Sequence, residues 1–175
     1  MKAVTKIKGA LLALLQDHSF TSLTVTLICA RAGISRPTFY KYFTDKYDLM
    51  ITVYEDDIAK CLQNDSWQEI MIDALSYIRE HRRYLQAALD YHGQNSFTAF
   101  LLTYTKQCTS QLITKRGGCP MDERLRYGLT MFTYGVCYTL IDWVRDGCRT
   151  SPEEFTRQVG DAMPVVLKPY LLEND

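Results

Sequence analysis

Apolar residues recur along this chain at intervals of three and four, the period of a helix buried on one face. Val4, Ile7, Leu11, Leu14 and Leu15 mark a first helix, and a polar break follows at Gln16–Ser19. Val25, Ile28 and Ala32 line a short second helix, capped by Thr24 and ended by Gly33, which tolerates the left-handed backbone of a helix terminus. Ser35 caps a third helix, read as Arg36–Phe43, with Pro37 in its first turn, where a missing N–H costs little. Asp45 opens a longer helix with Leu49, Val53, Ile58 and Leu62 on one stripe.

The same period continues to the end of the chain. Ser66-Trp67-Gln68-Glu69 reads as a capping box, so another helix begins at Trp67. Ile70, Ala74, Leu75, Ile78 and Leu85 continue it, with a break expected near Glu80–His81 and a stop at Gly93. Phe97, Phe100, Leu101, Tyr104 and Leu112 carry the next helix to about Lys115, and Gly117-Gly118-Cys119-Pro120 is the plainest loop. Met121–Asp146 bears two apolar stripes. One is Leu125, Leu129, Phe132, Val136, Leu140 and Trp143; the other is Tyr127, Met131, Tyr134, Tyr138 and Ile141. They are offset by roughly 200° around the helix. A helix apolar on opposite sides is buried on both. The second stripe is therefore expected to face a second subunit, with Gly128 and Gly135 allowing close backbone approach. Ser151-Pro152-Glu153-Glu154 starts the last helix with a cap, a first-turn proline and acids at the positive end of the dipole. Pro164 and Pro169 should kink or interrupt it. With no strand pattern and no internal repeat, the fold class is all-α. The expected division is a three-helix, helix-turn-helix DNA-binding domain at 1–48 and a helical dimerisation and effector domain at 49–175.

Composition narrows the function classes. At 47% hydrophobic and 23% charged residues, disorder is not expected. No apolar run approaches membrane-spanning length. The lysines at the start superficially resemble a signal peptide, but the apolar residues there are helically spaced and no clean cleavage site follows, so a cytoplasmic protein is expected. Six cysteines, at 29, 61, 108, 119, 137 and 148, form no C-x-x-C pair and no zinc spacing, and read as small hydrophobes. His81 and His92, with Asp90, read as structural or surface groups. No nucleophile elbow, phosphate loop or metal-ligand cluster is present, so neither an enzyme nor a cofactor is expected. Net charge is zero, but residues 1–50 hold seven Lys/Arg against three Asp, so the rest carries −4. A basic head on an acidic body suits a polyanion partner for the head.

The segment Thr24–Phe43 supplies two short helices and a tight turn, the requirement of a helix-turn-helix. Ile34, Phe39 and Phe43 close its small core. Arg36, Pro37, Thr38, Tyr40, Lys41 and Tyr42 remain outside, a basic, hydroxyl-rich and aromatic set with the chemistry for phosphates and base edges. The plainer alternatives are a helical hairpin without a DNA role, and Thr26 as a solvated residue.

Thr24-Val25, Ile28, Ala32-Gly33-Ile34-Ser35, Thr38-Phe39-Tyr40, Tyr42-Phe43, Asp45-Lys46 and Leu49 look like the signature of the TetR family of regulators. Gly135–Glu154, with Trp143, Gly147 and Ser151-Pro152-Glu153, is similar to the short TetR-type regulators of Gram-positive bacteria. One branch of these includes a coactivator-like regulator of dihydroxyacetone use. The resemblance implies that Arg36 reads a base edge, guanine being the natural partner of its fork, and that Pro37 and Thr38 approach bases or a thymine methyl. It implies phosphate contacts for Thr24, Tyr40, Tyr42 and Lys46, with Ser35, Thr26 and Lys41 as further members of the contact set. Cys29 stands where alanine is usual, and Asp17-His18-Ser19-Phe20 replaces a commoner glycine-containing turn.

For the body, the resemblance implies a homodimer on a pseudo-palindromic operator and an effector. The two last long helices, about 125–146 and 153–170, are expected to form the dimer. Trp67, Tyr77, Tyr84, Tyr104 and Trp143 are candidate ligand residues by position, although aromatic stripes are more often plain core. The expected role is a repressor released or modulated by an effector. The alternative is a coactivator whose body binds a partner protein.

Overall fold

The computed structural model describes residues 2–64, 66–91, 96–117 and 120–172. Every regular element among them is helical: α1 (Lys2–Asp17), α2 (Val25–Ala32), α3 (Arg36–Tyr40), α4 (Lys46–Cys61), α5 (Trp67–Glu80), α6 (Arg82–Leu89), α7 (Phe97–Gly117), α8 (Glu123–Arg145), α9 (Pro152–Asp161) and α10 (Lys168–Leu171). A 3₁₀ turn, Phe20–Ser22, lies between α1 and α2. Gly93, His92, Gly118 and Cys119, which the sequence assigns to a helix stop, a structural or surface histidine and a loop, lie outside the described residues.

The helices form two compact units, residues 1–57 with 83–97 and residues 58–82 with 98–175. The first unit thus extends past the division expected after residue 48. Its boundary falls inside α4, and it takes in a later stretch of chain. Side-chain chemistry accounts for this. Tyr47 stacks on Tyr91 with centroids 3.7 Å apart, and Tyr54 meets Phe97 edge-on at 5.1 Å. Ile7, Leu11, Phe20, Leu23, Ile28, Phe39, Leu49 and Met50 are fully buried in this unit. Each such side chain contributes about 1.5–3 kcal/mol of transfer free energy. Lys8 of α1 pairs with Asp56 of α4 at 2.6 Å.

Local signals set the helix ends. Thr24 Oγ1 accepts the Leu27 N–H at 3.2 Å, and Ser35 Oγ accepts that of Thr38 at 3.3 Å. Asp45 Oδ1 accepts from the N–H groups of Tyr47 and Asp48, both at 2.8 Å. Gly33 closes α2 at φ 65°, ψ 40°, and the Ile34 N–H reaches back to the Cys29 carbonyl. The third helix is shorter than the expected Arg36–Phe43. After Tyr40 the chain tightens: the Tyr42 N–H bonds the Phe39 carbonyl at 2.9 Å, an i−3 bond of the 3₁₀ kind. This brings the Phe39 and Phe43 rings within 5.6 Å, both buried.

In the second unit α5 lies against α9, with the Trp67 ring packed near Gly160. The Cys137 thiol donates to the Leu101 carbonyl at 3.9 Å, joining α8 to α7. α5 starts at Trp67 as expected, but the capping box does not form. Ser66 Oγ donates to Gln68 Oε1 at 3.0 Å and makes no cap bond. The last helix ends at Asp161 rather than continuing to 170. Pro164 cannot donate, the chain turns over Pro164–Leu167, and α10 resumes for four residues. The outer side of α9 is ionic: Arg157 bridges Glu154 at 2.8 Å and Asp161 at 2.7 Å. Among the described residues no helix is long and apolar enough to cross a membrane.

Gly33 offers a direct check. A Cβ there would touch nothing within 4 Å, so any cost of Gly33→Ala comes from the left-handed backbone alone. The expected loss is about 1–2 kcal/mol, read as a lower Tm of the whole chain. An unchanged Tm would rule out the positive φ.

Candidate nucleic-acid interface

Burial sorts the helix-turn-helix side chains into two sets. Phe39 and Ile28 are inaccessible to solvent, and Phe43 and Cys29 are buried beside them. Burial pushes the Cys29 thiol above its ordinary pKa, in keeping with a small core residue. Thr24, Thr26, Ser35, Arg36, Pro37, Tyr40, Lys41 and Tyr42 are exposed, and Thr38 is half-buried. One five-residue helix thus has an apolar inner side and a cationic, hydroxyl-bearing and aromatic outer side.

Arg36 sits at the centre of the outer set. Its Nη1–H donates to Thr26 Oγ1 at 3.4 Å and its Nη2–H to Tyr40 Oη at 3.3 Å. Its guanidinium carbon lies 5.8 Å from the Tyr40 ring centroid. Thr26 is therefore not an idle surface residue; it belongs to α2 and meets α3 through this arginine. Lys41 Nζ lies 6.0 Å from the Tyr42 ring centroid. Ser35 and Thr38 share a hydroxyl hydrogen bond at 2.9 Å beneath Arg36 in the first turn. Thr24 and Ser35 use oxygen lone pairs as caps, which leaves their positions compatible with donation to phosphate.

Lys46 does not join this set. Its ammonium donates to the carbonyls of Phe20 at 2.9 Å, Thr21 at 3.0 Å and Leu23 at 2.9 Å. An ammonium has three N–H donors, and three carbonyls take them all. The Phe20 and Tyr47 rings lie 5.0 and 5.4 Å from the nitrogen. Burial lowers the pKa of this group from its ordinary value, and Asp45 offsets part of the effect. A phosphate could engage Lys46 only by breaking a bond to the turn. In this structure the Lys46 ammonium fixes the turn that precedes α2. Backbone carbonyls carry no sequence signature, so composition gave no warning of this. Ser19 completes the turn, accepting the Ser22 N–H at 3.4 Å and the Ser22 hydroxyl, through its carbonyl, at 2.8 Å.

The α8 stripe divides in the same manner. Tyr127, Met131, Tyr134 and Tyr138 are more than half exposed, Tyr127 the most at 70%. Gly135 lies among them with open space about it. Ile141, expected in the same stripe, is 3% exposed and belongs to the core of its own unit. Gly128 faces inward too, since a Cβ there would come 2.7 Å from Val166. The chain neighbour of Val166, Val165, is 79% exposed, a position the pattern of apolar residues did not single out.

Of the five aromatic candidates for a ligand site, Tyr84 belongs to the first unit and the others to the second. Trp67 and Trp143 are buried, Trp143 donating to the Thr150 carbonyl at 3.0 Å and lying 5.3 Å from Phe155. Tyr77 stacks on His81 and Tyr104 on Phe100. His81 and Asp90 likewise fall in different units.

Replacing Lys46 tests its assignment. Lys46→Met should lower stability by about 1–3 kcal/mol, the range for hydrogen bonds to a charged group. The salt dependence of DNA binding, measured below the melting range, should keep its slope. A slope smaller by about one would return Lys46 to the phosphate contacts.

Two family descriptions match the chain. Residues 8–53 match the bacterial regulatory proteins of the tetR family, and residues 65–164 match a transcriptional regulator C-terminal region. Among curated relatives, the chain is 25% identical over 172 residues to YxbF of Bacillus subtilis, an uncharacterized HTH-type transcriptional regulator. It is 30% identical over 77 residues to DhaS of Lactococcus lactis, an HTH-type transcriptional activator of the dhaKLM operon. These alignments cover 90% and 42% of this chain but only 43% and 41% of the relatives, so the chain spans less than half of their length. The solved structure of the dihydroxyacetone kinase operon activator DhaS superposes with a TM-score of 0.69 at 19% identity, over 99% of this chain and 98% of that one. A fatty acid degradation regulator, FadR from Bacillus halodurans, superposes at 0.53 and 16% identity, over 91% and 96%. With both segments matched and the helical architecture shared, the chain belongs to the TetR family of DNA-binding transcriptional regulators, a family of regulators rather than enzymes.

Proposed function

We propose that the chain binds double-stranded DNA through the outer side of α3, as a homodimer joined along the Tyr127, Met131, Tyr134 and Tyr138 stripe of α8. A two-fold dimer would read a pseudo-palindromic operator. The observation that carries the DNA contact is the segregation on α3: Phe39 is buried while Arg36, Pro37, Tyr40, Lys41 and Tyr42 are exposed together. In this reading Arg36 contacts a base edge, and Tyr42, Lys41, Thr24 and the helix-cap hydroxyls hold phosphates. The dimer rests on four large side chains in one exposed helical stripe, with Gly135 allowing a second backbone to approach. The ionic outer side of α9 makes it the lesser contributor.

The first unit is then the reading head and the second the regulatory body. Repression released by a small effector is the primary reading. A second reading, activation through a partner protein, is favoured by one observation: a relative with 30% identity over 77 residues is named as an operon activator.

Binding to duplexes selected from a random library measures the first claim. Arg36→Ala should lose about 1–3 kcal/mol and its preference at one base pair. Unchanged affinity and preference would remove the assignment. For the second, sedimentation should give twice the chain mass at micromolar concentration. Tyr134→Glu with Tyr138→Glu should shift that mass toward the monomer, because desolvating unpaired carboxylates is costly. A monomer mass at every concentration would overturn the dimer and leave the stripe to another partner.

A further inference from the structure

The guanidinium of Arg36 is held from two sides by side chains of different helices. Thr26 of α2 takes one Nη1–H and Tyr40, one turn along α3, takes one Nη2–H. The Tyr40 ring also lies within cation–π range of the same group, at 5.8 Å. A guanidinium has five N–H donors in one plane, so three remain: the Nε–H and one on each terminal nitrogen. Guanine offers two acceptors on its major-groove edge, O6 and N7, and a bidentate contact needs two donors. The hold therefore leaves enough donors for a base while limiting the orientations of the fork. A long side chain on an exposed helix otherwise samples many rotamers, and ordering it opposes binding.

We propose that Thr26 and Tyr40 are positioning residues that fix the Arg36 fork for a guanine, and so set base discrimination at the operator position Arg36 reads. The proposal rests on the reading of α3 as the recognition helix. It gives Tyr40 a task beyond a phosphate clamp: its hydroxyl oxygen accepts from the arginine, while its O–H can still donate. It also ties α2 to specificity: the residue that orients the reader lies on the helix before the turn. Two residues ten apart in sequence, Thr26 and Arg36, meet because the Gly33 turn folds α3 back beside α2.

The test is a double-mutant cycle on the full chain, using the duplex that the wild type selects from a random library. Thr26→Val and Tyr40→Phe remove the hydroxyls and keep the volume. Arg36→Ala should reduce discrimination at its base pair by about 5- to 150-fold. Each hydroxyl deletion should reduce discrimination at that same pair by roughly 3- to 10-fold and leave the salt slope intact. The effect should vanish in the Arg36→Ala background, and Thr26→Ser should restore it. Loss that is uniform across sequences, persists without Arg36 and lowers the salt slope by about one would overturn the proposal and make these phosphate contacts. Full discrimination in both deletions would also overturn it while Arg36→Ala still shows its loss. If Arg36→Ala is itself silent, the recognition-helix reading fails first and the proposal with it.

Discussion

The helix-turn-helix depends on one ammonium group. Lys46, at the start of α4, donates to three carbonyls in the turn between α1 and α2. These carbonyls precede Thr24, the cap of α2, so the clamp ties the segment leading into α2 to the start of α4. Nothing else described in this turn bonds α4 to it at so many points. The commoner glycine-containing turn is absent here; Ser19, Ser22 and Lys46 do its work by hydrogen bonding instead of backbone freedom. A half-buried cation with all its donors engaged is a strong local constraint, because two of the carbonyls it holds are partly shielded from water.

Donor arithmetic also separates the two cations that matter most for function. Lys46 has three donors and three partners within the chain. Arg36 has five donors and two partners, so it can be held and still bind. Both residues lie in the basic head, and both look alike to an argument from net charge. The chemistry that distinguishes them is local: an ammonium is a compact point donor, while a guanidinium is a planar fork that can face two directions at once.

The body follows a similar logic at larger scale. α8 is apolar on two sides, and its inner side supplies the unit's core through Leu125, Leu129, Leu140 and Trp143. Its outer side keeps four large side chains, three of them tyrosines, in one exposed stripe. α9 lies beside this arrangement with an Arg157-centred ion network on its outside. The contrast between the apolar outside of α8 and the ionic outside of α9 is what concentrates the proposed subunit contact on a single helix.

Much of this was legible in order of residues alone. Periodicity placed all the long helices, and Thr24, Ser35, Asp45 and Ser151 announced starts that the backbone then used, because a cap is a contact within three residues. The spaced residues from Thr24 to Leu49 carried the family. Other features needed the folded chain. The capping box at Ser66 has the right letters but a different hydrogen bond, since its glutamine offers a competing acceptor. Ile141 has the period of the outer stripe but the burial of the inner core, because a helix face is wider than one row. Lys46 and the extension of the first unit to Tyr91 and Phe97 depend on partners distant in sequence. The sequence by itself determined the long helices and most of their caps, which are short-range. Tertiary structure alone decided which cation has all its donors engaged and which keeps donors to spare, because that depends on acceptors brought near by folding.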